Sequence, residues 1–309
     1  MVYVIITLVV LTIIGIILFV SYNFFSTSCV RKNKKFIALF EKIGMDSKSR
    51  VVMPNVEWYK EQKVNDYYIT SKDGLKLHAS FLPAPNAVRT VICVHGYRGN
   101  AKYDFSAIIR YLNSNRSNVL LIDQRASGAS EGEFITFGAK EKEDLVQWVD
   151  YTAKYIDIKN PLYLYGISMG ATTTLLSLGS EMNVRLCGVI ADCGFTSMKD
   201  ECKFLLKNLY GLPVFPFINL LNVFCNMFAK FDISETDTTK SLEKNKIPVL
   251  FIHGENDSFV IPENTRINYS RTNAPKDLVW IKNANHAESI LKDPELYHTK
   301  LEYFFNTYK

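Results

Sequence analysis

Short, continuous apolar runs recur along this chain at residues 90–94, 119–122, 162–165, 186–190, 249–252 and 278–281. None of them alternates polar with apolar, so each reads as a strand covered on both faces. Helical stretches at 103–114, 136–155, 169–181 and 293–307 separate most of these runs. Strand, helix and strand in succession imply parallel neighbours joined by crossovers, with helices on both sides of the sheet. Residues 65–83 differ. There Tyr67-Tyr68-Ile69-Thr70 and residues 75–81 flank the turn Lys72-Asp73-Gly74, the pattern of an antiparallel pair. The expected fold class is α/β, with a mostly parallel central sheet, antiparallel N-terminal strands and helices on both faces.

One interval breaks this rhythm. Residues 196–245 are longer than any short strand-to-helix step and carry Leu205, Leu206, Leu212, Phe215, Phe217, Leu221, Phe224 and Phe228. A small helical cap-like insertion over the carboxyl ends of the strands is expected, shaping a pocket for an apolar or aromatic group. The plainer alternative is a helix and long loop packed on the sheet edge. The chain of 309 residues is 48% apolar. That is enough for one large domain over residues 61–309 and leaves little room for a second.

The N-terminus accounts for the rest. Residues 2–20 are apolar throughout, and no charge precedes Arg31. At about 1.5 Å per residue they rise roughly 28 Å, the thickness of a bilayer core. A cleaved signal peptide would want a basic start and a small-residue cleavage site; the first is missing and Ser26-Thr27-Ser28 is a poor second. The expectation is an uncleaved single-pass anchor over residues 1–22, with a cleaved signal or a buried helix as alternatives. A juxtamembrane connection over residues 23–60 follows, including an amphipathic helix marked by Phe36, Leu39, Phe40 and Ile43. By the positive-inside rule the cluster Arg31-Lys32-Asn33-Lys34-Lys35 is expected to put the body of the chain on the cytoplasmic side. A domain tethered outside is the competing reading.

The formal charge of +5 is modest and concentrated near residues 31–35, and neither a Walker loop nor a zinc-finger pattern occurs. Nucleic acid is therefore not an expected partner. Cys29, Cys93, Cys187, Cys193, Cys202 and Cys225 form no Cys-x-x-Cys pair. They read as free thiols, mostly buried, which fits a reducing compartment better than an oxidising one.

Gly166-Ile167-Ser168-Met169-Gly170 follows directly on a strand and opens a helix. Glycines on either side permit a turn tight enough to push a serine hydroxyl out of the backbone. A serine needs a base, a group to orient that base, and donors for a developing oxyanion. His286 lies just past the last strand and is the candidate base; His78, His95, His253 and His298 are less suitably placed. Asp257, in the loop after the preceding strand, is the candidate orienting acid, with Glu255 as its rival. The Met169 and Tyr97 N–H groups are the candidate oxyanion donors. His95, Gly96, Asp123 and Arg125 read as loop supports, and Arg98 as a structural residue paired with a surface acid, the alternative being a site residue that meets a carboxylate or phosphate. No metal and no organic cofactor is expected.

The order Ser, Asp, His along the chain is that of the α/β hydrolases. Over roughly residues 60–308 the chain resembles that superfamily of serine hydrolases. The resemblance rests on His95-Gly96-Tyr97-Arg98-Gly99-Asn100, Asp123-Gln124-Arg125, Gly166 to Gly170, Gly254-Glu255-Asn256-Asp257 and Asn285-His286. Through Phe231-Asp232-Ile233-Ser234 and residues 247–254 it also resembles membrane-anchored or cell-surface hydrolases of Gram-positive bacteria and is similar to the eukaryotic Bem46-like group. Where such relatives carry Arg-Gly-His-Gly after the fourth strand, this chain has Arg125-Ala126-Ser127-Gly128. The resemblance implies acyl transfer through an acyl-enzyme. Carboxylic esters of a small-molecule or lipid-like substrate are the first expectation, thioesters and amides the second, and a non-catalytic binding protein on the same fold the rival of another class.

Overall fold

The computed structural model describes residues 1–32, 53–184, 186–208 and 211–309. The amphipathic helix expected near Phe36 and Ile43 lies outside the described residues. The strands are β1 (Asn65–Thr70), β2 (Lys76–Leu82), β3 (Arg89–Val94), β4 (Ser117–Asp123), β5 (Leu162–Ile167), β6 (Leu186–Asp192), β7 (Val249–Gly254) and β8 (Lys276–Ile281). Among the described residues they form one sheet in the order β1-β2-β4-β3-β5-β6-β7-β8. β1 with β2 and β2 with β4 are antiparallel, and the remaining pairs are parallel.

The helices are α1 (Val2–Cys29), α2 (Met53–Lys60), α3 (Ala101–Asp104), α4 (Ser106–Ser114), α5 (Glu141–Tyr151), α6 (Met169–Ser177), α7 (Met198–Asn208), α8 (Phe217–Phe224), α9 (Thr238–Glu243), α10 (Glu263–Arg271), α11 (Ser289–Lys292) and α12 (Pro294–Thr307). The strands bury both faces. Val91, Cys93, Leu121, Tyr165 and Ile252 point toward Ile108 and Ile109 of α4 and Leu301 and Phe304 of α12. Ile92, Val94, Leu120, Leu164 and Phe251 point the other way, toward Leu145 and Trp148 of α5 and Leu175 of α6. Burying such a side chain fully is worth about 1.5–3 kcal/mol, so this double covering is the main stabilising term.

The chain enters the parallel region at β3, adds β4 on one side, and then crosses to add β5 on the other. The loops leaving β3 and β5 therefore diverge and open a crevice at the carboxyl ends of these strands, where ligands bind in sheets of this kind. The excursion between β6 and β7 holds α7, α8, a wide π turn (Cys225–Ala229), a short 3-10 turn (Ile233–Thr236) and α9.

α1 is, among the described residues, the one helix long and apolar enough to cross a membrane, and it supports a single membrane anchor. It does not end at residue 22 but continues to Cys29 and docks on the domain. Phe25 and Cys29 are buried with Phe217, Leu221 and Cys225. Val30 forms a bridge with Phe134, the Ile135 N–H donates to the Cys29 carbonyl at 2.8 Å, and the Arg31 side chain donates to the carbonyls of Ser130 and Gly128.

Candidate active site

The turn from β5 into α6 is as tight as its glycines imply. A Cβ on Gly170 would lie 1.9 Å from the Val94 carbonyl oxygen, and one on Gly166 would lie 2.3 Å from the Gly170 carbonyl oxygen. Only hydrogen fits at either position. Between them Ser168 takes φ 55° and ψ −120°, a strained conformation costing about 1–3 kcal/mol. The strain projects Oγ out of the turn, and Met169 at the first helical position offers an N–H with no intrahelical acceptor.

His286, in the loop after β8, brings Nε2 to 2.9 Å from Ser168 Oγ. Its Nδ1 lies 2.7 Å from Asp257 Oδ2. Asp257 is buried, and burial works to raise its pKa. Hydrogen bonds from His253 and His286 outweigh that and bring it down to about 2, while the Phe259 and Val260 N–H groups hold Oδ1, each at 2.9 Å. An ionised Asp257 accepts from Nδ1–H, which leaves Nε2 to accept the serine proton. Glu255 is exposed and takes no part in this chain.

The loop after β3 lies against the serine. A Cβ on Gly96 would sit 3.4 Å from the Ser168 Cβ. The Gly96 N–H donates to Asp104 Oδ2 at 2.8 Å, and His95 Nδ1 donates to the Gly96 carbonyl at 2.7 Å. His95 Nε2 in turn accepts from the Gln124 N–H at 3.1 Å. Ser127 Oγ donates to the Gly99 carbonyl, so the loop after β4 braces the loop after β3. Asp123 and Arg125 act one step further out. Asp123 binds His78 and the Ala129 N–H, and Arg125 spans Asp144 and Asp73.

Arg98 is a structural residue, as expected, and it works through backbone. Its guanidinium donates to the carbonyls of Thr27, Val30 and Arg31 at 2.9, 2.7 and 2.9 Å. The Tyr97 hydroxyl donates to the Ser28 carbonyl at 2.6 Å and accepts from Arg98 Nε at 3.0 Å. These residues cap the carboxyl end of α1, whose last carbonyls have no partner within the helix. The anchor thus ends on the loop that carries a candidate oxyanion donor.

His253, expected as a loop support from its place before a glycine, and Glu201, which was not singled out from the sequence, also bear on Asp257. His253 is fully buried. Its Nε2 faces Asp257 Oδ2 at 3.1 Å and the Val260 carbonyl at 2.9 Å, so Nε2 carries the proton and Nδ1 accepts from Thr265 Oγ1. Glu201 of α7 is buried, with Oε1 unpartnered. Burial, followed by the nearby Asp257 charge, pushes its pKa up to about 8. The sequence signal for Glu201 was an acid on the buried face of a helix, beside Met198 and Cys202.

The Cys193 thiol, Asp257 carboxylate and His286 imidazole have ligand atoms within 4.8 Å of one another. They are the described residues best placed to hold a metal ion. Burial pushes the Cys193 thiol up, and Asp257 and His286 are already bonded to each other, so these donors suit a proton chain better than a cation.

Strand order, switch-point crevice and strained serine together define a class of fold. A family model described as "Serine aminopeptidase, S33" matches residues 85–214. The uncharacterized protein YqkD of Bacillus subtilis is 26% identical over 87% of this chain and 82% of its own length. The protein bem46 of Schizosaccharomyces pombe is 25% identical over 58% of this chain and 54% of its own. Among solved structures, the Pyrococcus furiosus esterase Pf2001 is similar with a TM-score of 0.64 and 26% identity, covering 80% of this chain and 91% of that one. In sequence and fold the chain is thus similar to α/β hydrolases, the protein bem46 among its relatives.

Proposed function

We propose that this protein is a membrane-anchored serine hydrolase that cleaves carboxylic esters bearing an apolar or acyl group. The observation that carries the reading is the unbroken chain from Ser168 Oγ through His286 to Asp257 at 2.9 and 2.7 Å. Ser168 attacks the ester carbonyl while His286 Nε2 takes its proton. Met169 N–H, at the positive end of α6, and Tyr97 N–H stabilise the tetrahedral oxyanion. His286 then returns the proton to the leaving alcohol, and the acyl group remains on Ser168. Water activated by the same imidazole releases the acid. Asp257 stabilises the imidazolium throughout and stays ionised. The excursion between β6 and β7 serves as the cap, since Phe217, Leu221 and Met198 join Met169 and Tyr97 in one apolar cluster.

Amide hydrolysis is the second reading, raised by the aminopeptidase description of the matching family model. A peptide amino terminus would need a carboxylate to meet it. Burial favours the neutral form of Glu201, and the similar Pyrococcus furiosus protein is an esterase. Esters therefore come first. The domain is assigned to the cytoplasmic side by the basic residues that follow α1 and by six free cysteines. A p-nitrophenyl ester series of rising acyl length tests the activity. Hydrolysis lost in Ser168→Ala and favouring longer chains is expected; no hydrolysis of esters by the wild type, with turnover of aminoacyl amides, would favour the second reading. Protease cleavage of the domain from outside intact cells would overturn the cytoplasmic assignment.

A further inference from the structure

The face of the cap beside α1 is apolar and open. Phe215, Met227, Val223 and Phe228 are 75%, 54%, 49% and 42% exposed. Val223 and Met227 stand one turn apart, on α8 and the π turn that continues it. No Asp, Glu, Lys or Arg occurs between Lys207 and Lys230, and both of these lysines are exposed. A large apolar patch rimmed by basic residues needs an occupant.

The anchor shows which one. Tyr22 packs edge-on against Phe224 and Phe228 at 5.7 and 6.0 Å, and Phe25 lies 5.6 Å from Phe228. Ile17 and Val20 of α1 pack on the same cluster as Phe217, Ile218 and Leu221. Depth follows from helix geometry. If residues 2–20 span the bilayer core, its midplane falls near Leu11, and its edge, about 15 Å away, falls about ten residues later, near Ser21. Ile17 and Val20 then lie on the hydrocarbon side of that edge, and Tyr22 lies at headgroup level, where tyrosine is favoured. Phe224 and Phe228, packed on Tyr22, are then at headgroup level too, and Val223 and Met227 are their neighbours on the same helical run.

We infer that the outer face of the cap, Phe215 with Val223, Met227 and Phe228, is seated in the same membrane leaflet as the carboxyl end of α1. It receives its ester substrate from that leaflet. Lys207 and Lys230 sit where an ammonium meets anionic headgroups. The same apolar cluster that holds Ile17 and Val20 continues through Phe217, Leu221 and Cys225 to Met169, the residue after the nucleophile. The cap that faces the leaflet is therefore packed directly against the turn that carries Ser168. The substrate class is thus an ester of a membrane lipid with its acyl chain still in the leaflet; this clause rests on the hydrolase reading above, whereas the seating of the cap does not.

The test uses the full chain in nanodiscs of phosphatidylcholine and phosphatidylglycerol. Phe215→Cys and Met227→Cys, in a Cys187→Ser background, carry an environment-sensitive fluorophore. Ile158→Cys is the control, because Ile158 is exposed just before β5, at the opposite end of the sheet. Labels at 215 and 227 are expected to be quenched by lipids brominated near the headgroup and shielded from aqueous iodide, with the control reversed. Iodide quenching equal to the control, or shielding that disappears when one protein is present per disc and so reports a second copy, overturns the inference. A triple variant, F215E with V223E and M227E, is expected to lose roughly tenfold in turnover of a long-chain ester dispersed in the same lipid while hydrolysing p-nitrophenyl acetate normally. Equal loss on both substrates overturns the delivery route. Absence of p-nitrophenyl acetate hydrolysis by the wild type sinks the hydrolase reading and leaves the quenching result standing on its own.

Discussion

Glu201 stores a pH-dependent cost that can be measured. The residue is 8% exposed, Oε1 has no hydrogen-bond partner, and its pKa rises from 4.5 to about 8. The unfolded chain releases this proton near pH 4.5, whereas the folded chain holds it until about pH 8. Between these values the folded state binds the extra proton, so stability falls as pH rises. At about 1.36 kcal/mol per unit, the cost is absent below pH 4.5, about 3 kcal/mol at pH 7 and approaches about 5 kcal/mol at pH 9. Glu201→Gln removes the ionisation and keeps the shape. Any cost of burying the amide does not change with pH and cancels when two pH values are compared. Thermal unfolding of both proteins in detergent micelles at pH 5 and pH 9 is the assay. The variant is expected to gain roughly 10 °C in Tm relative to wild type between the two conditions. A Tm difference that is the same at both pH values would show that Glu201 ionises freely in the fold, and the argument from burial would fail.

Other substitutions probe the site from different sides. Arg98→Met removes the donors that cap α1 while keeping the apolar stem; loss of hydrogen bonds from a charged group is expected to cost about 3 kcal/mol or more, to lower kcat and to speed proteolysis near residue 32, read by timed digestion and ester turnover. His253→Gln loses the Nε2–H bond to Asp257 and is expected to lower kcat roughly tenfold with KM unchanged, since a hydrogen bond to a charged group is worth about 1.5–3 kcal/mol; an unaltered kcat would make His253 a packing residue only. Gly170→Ala places a methyl 1.9 Å from the Val94 carbonyl oxygen, so folded yield and activity are both expected to collapse, whereas Gly74→Ala, with open space around it, should remain folded at a cost of about 1 kcal/mol for its positive φ.

The sheet was legible because its strands are buried on both faces, which forces continuous apolar runs such as residues 90–94 and 249–252 into the sequence. The turn around Ser168 was legible for a different reason, since close backbone approach at 166 and 170 tolerates only glycine. α10 was missed because the face it buries is polar. Asn264 bonds Thr196 and Asn268 bonds Thr238, so no apolar period marks the helix. The docking of α1 was hidden because Arg98 and Tyr97 bind backbone carbonyls at Thr27, Ser28, Val30 and Arg31, and carbonyls are the same in every residue. His253 stood beside a glycine at a strand end like His95. Only the folding-back of the 254–260 loop puts its ring on Asp257.

The central claim is that Ser168, activated through His286, is the nucleophile. Incubation of the full chain with a fluorophosphonate, followed by intact-mass and peptide mass spectrometry, measures this directly. The account predicts a single phosphonyl adduct on the peptide containing Ser168, absent in Ser168→Ala and formed much more slowly in His286→Ala. An adduct on another serine, or labelling of the wild type no faster than of Ser168→Ala, would contradict it.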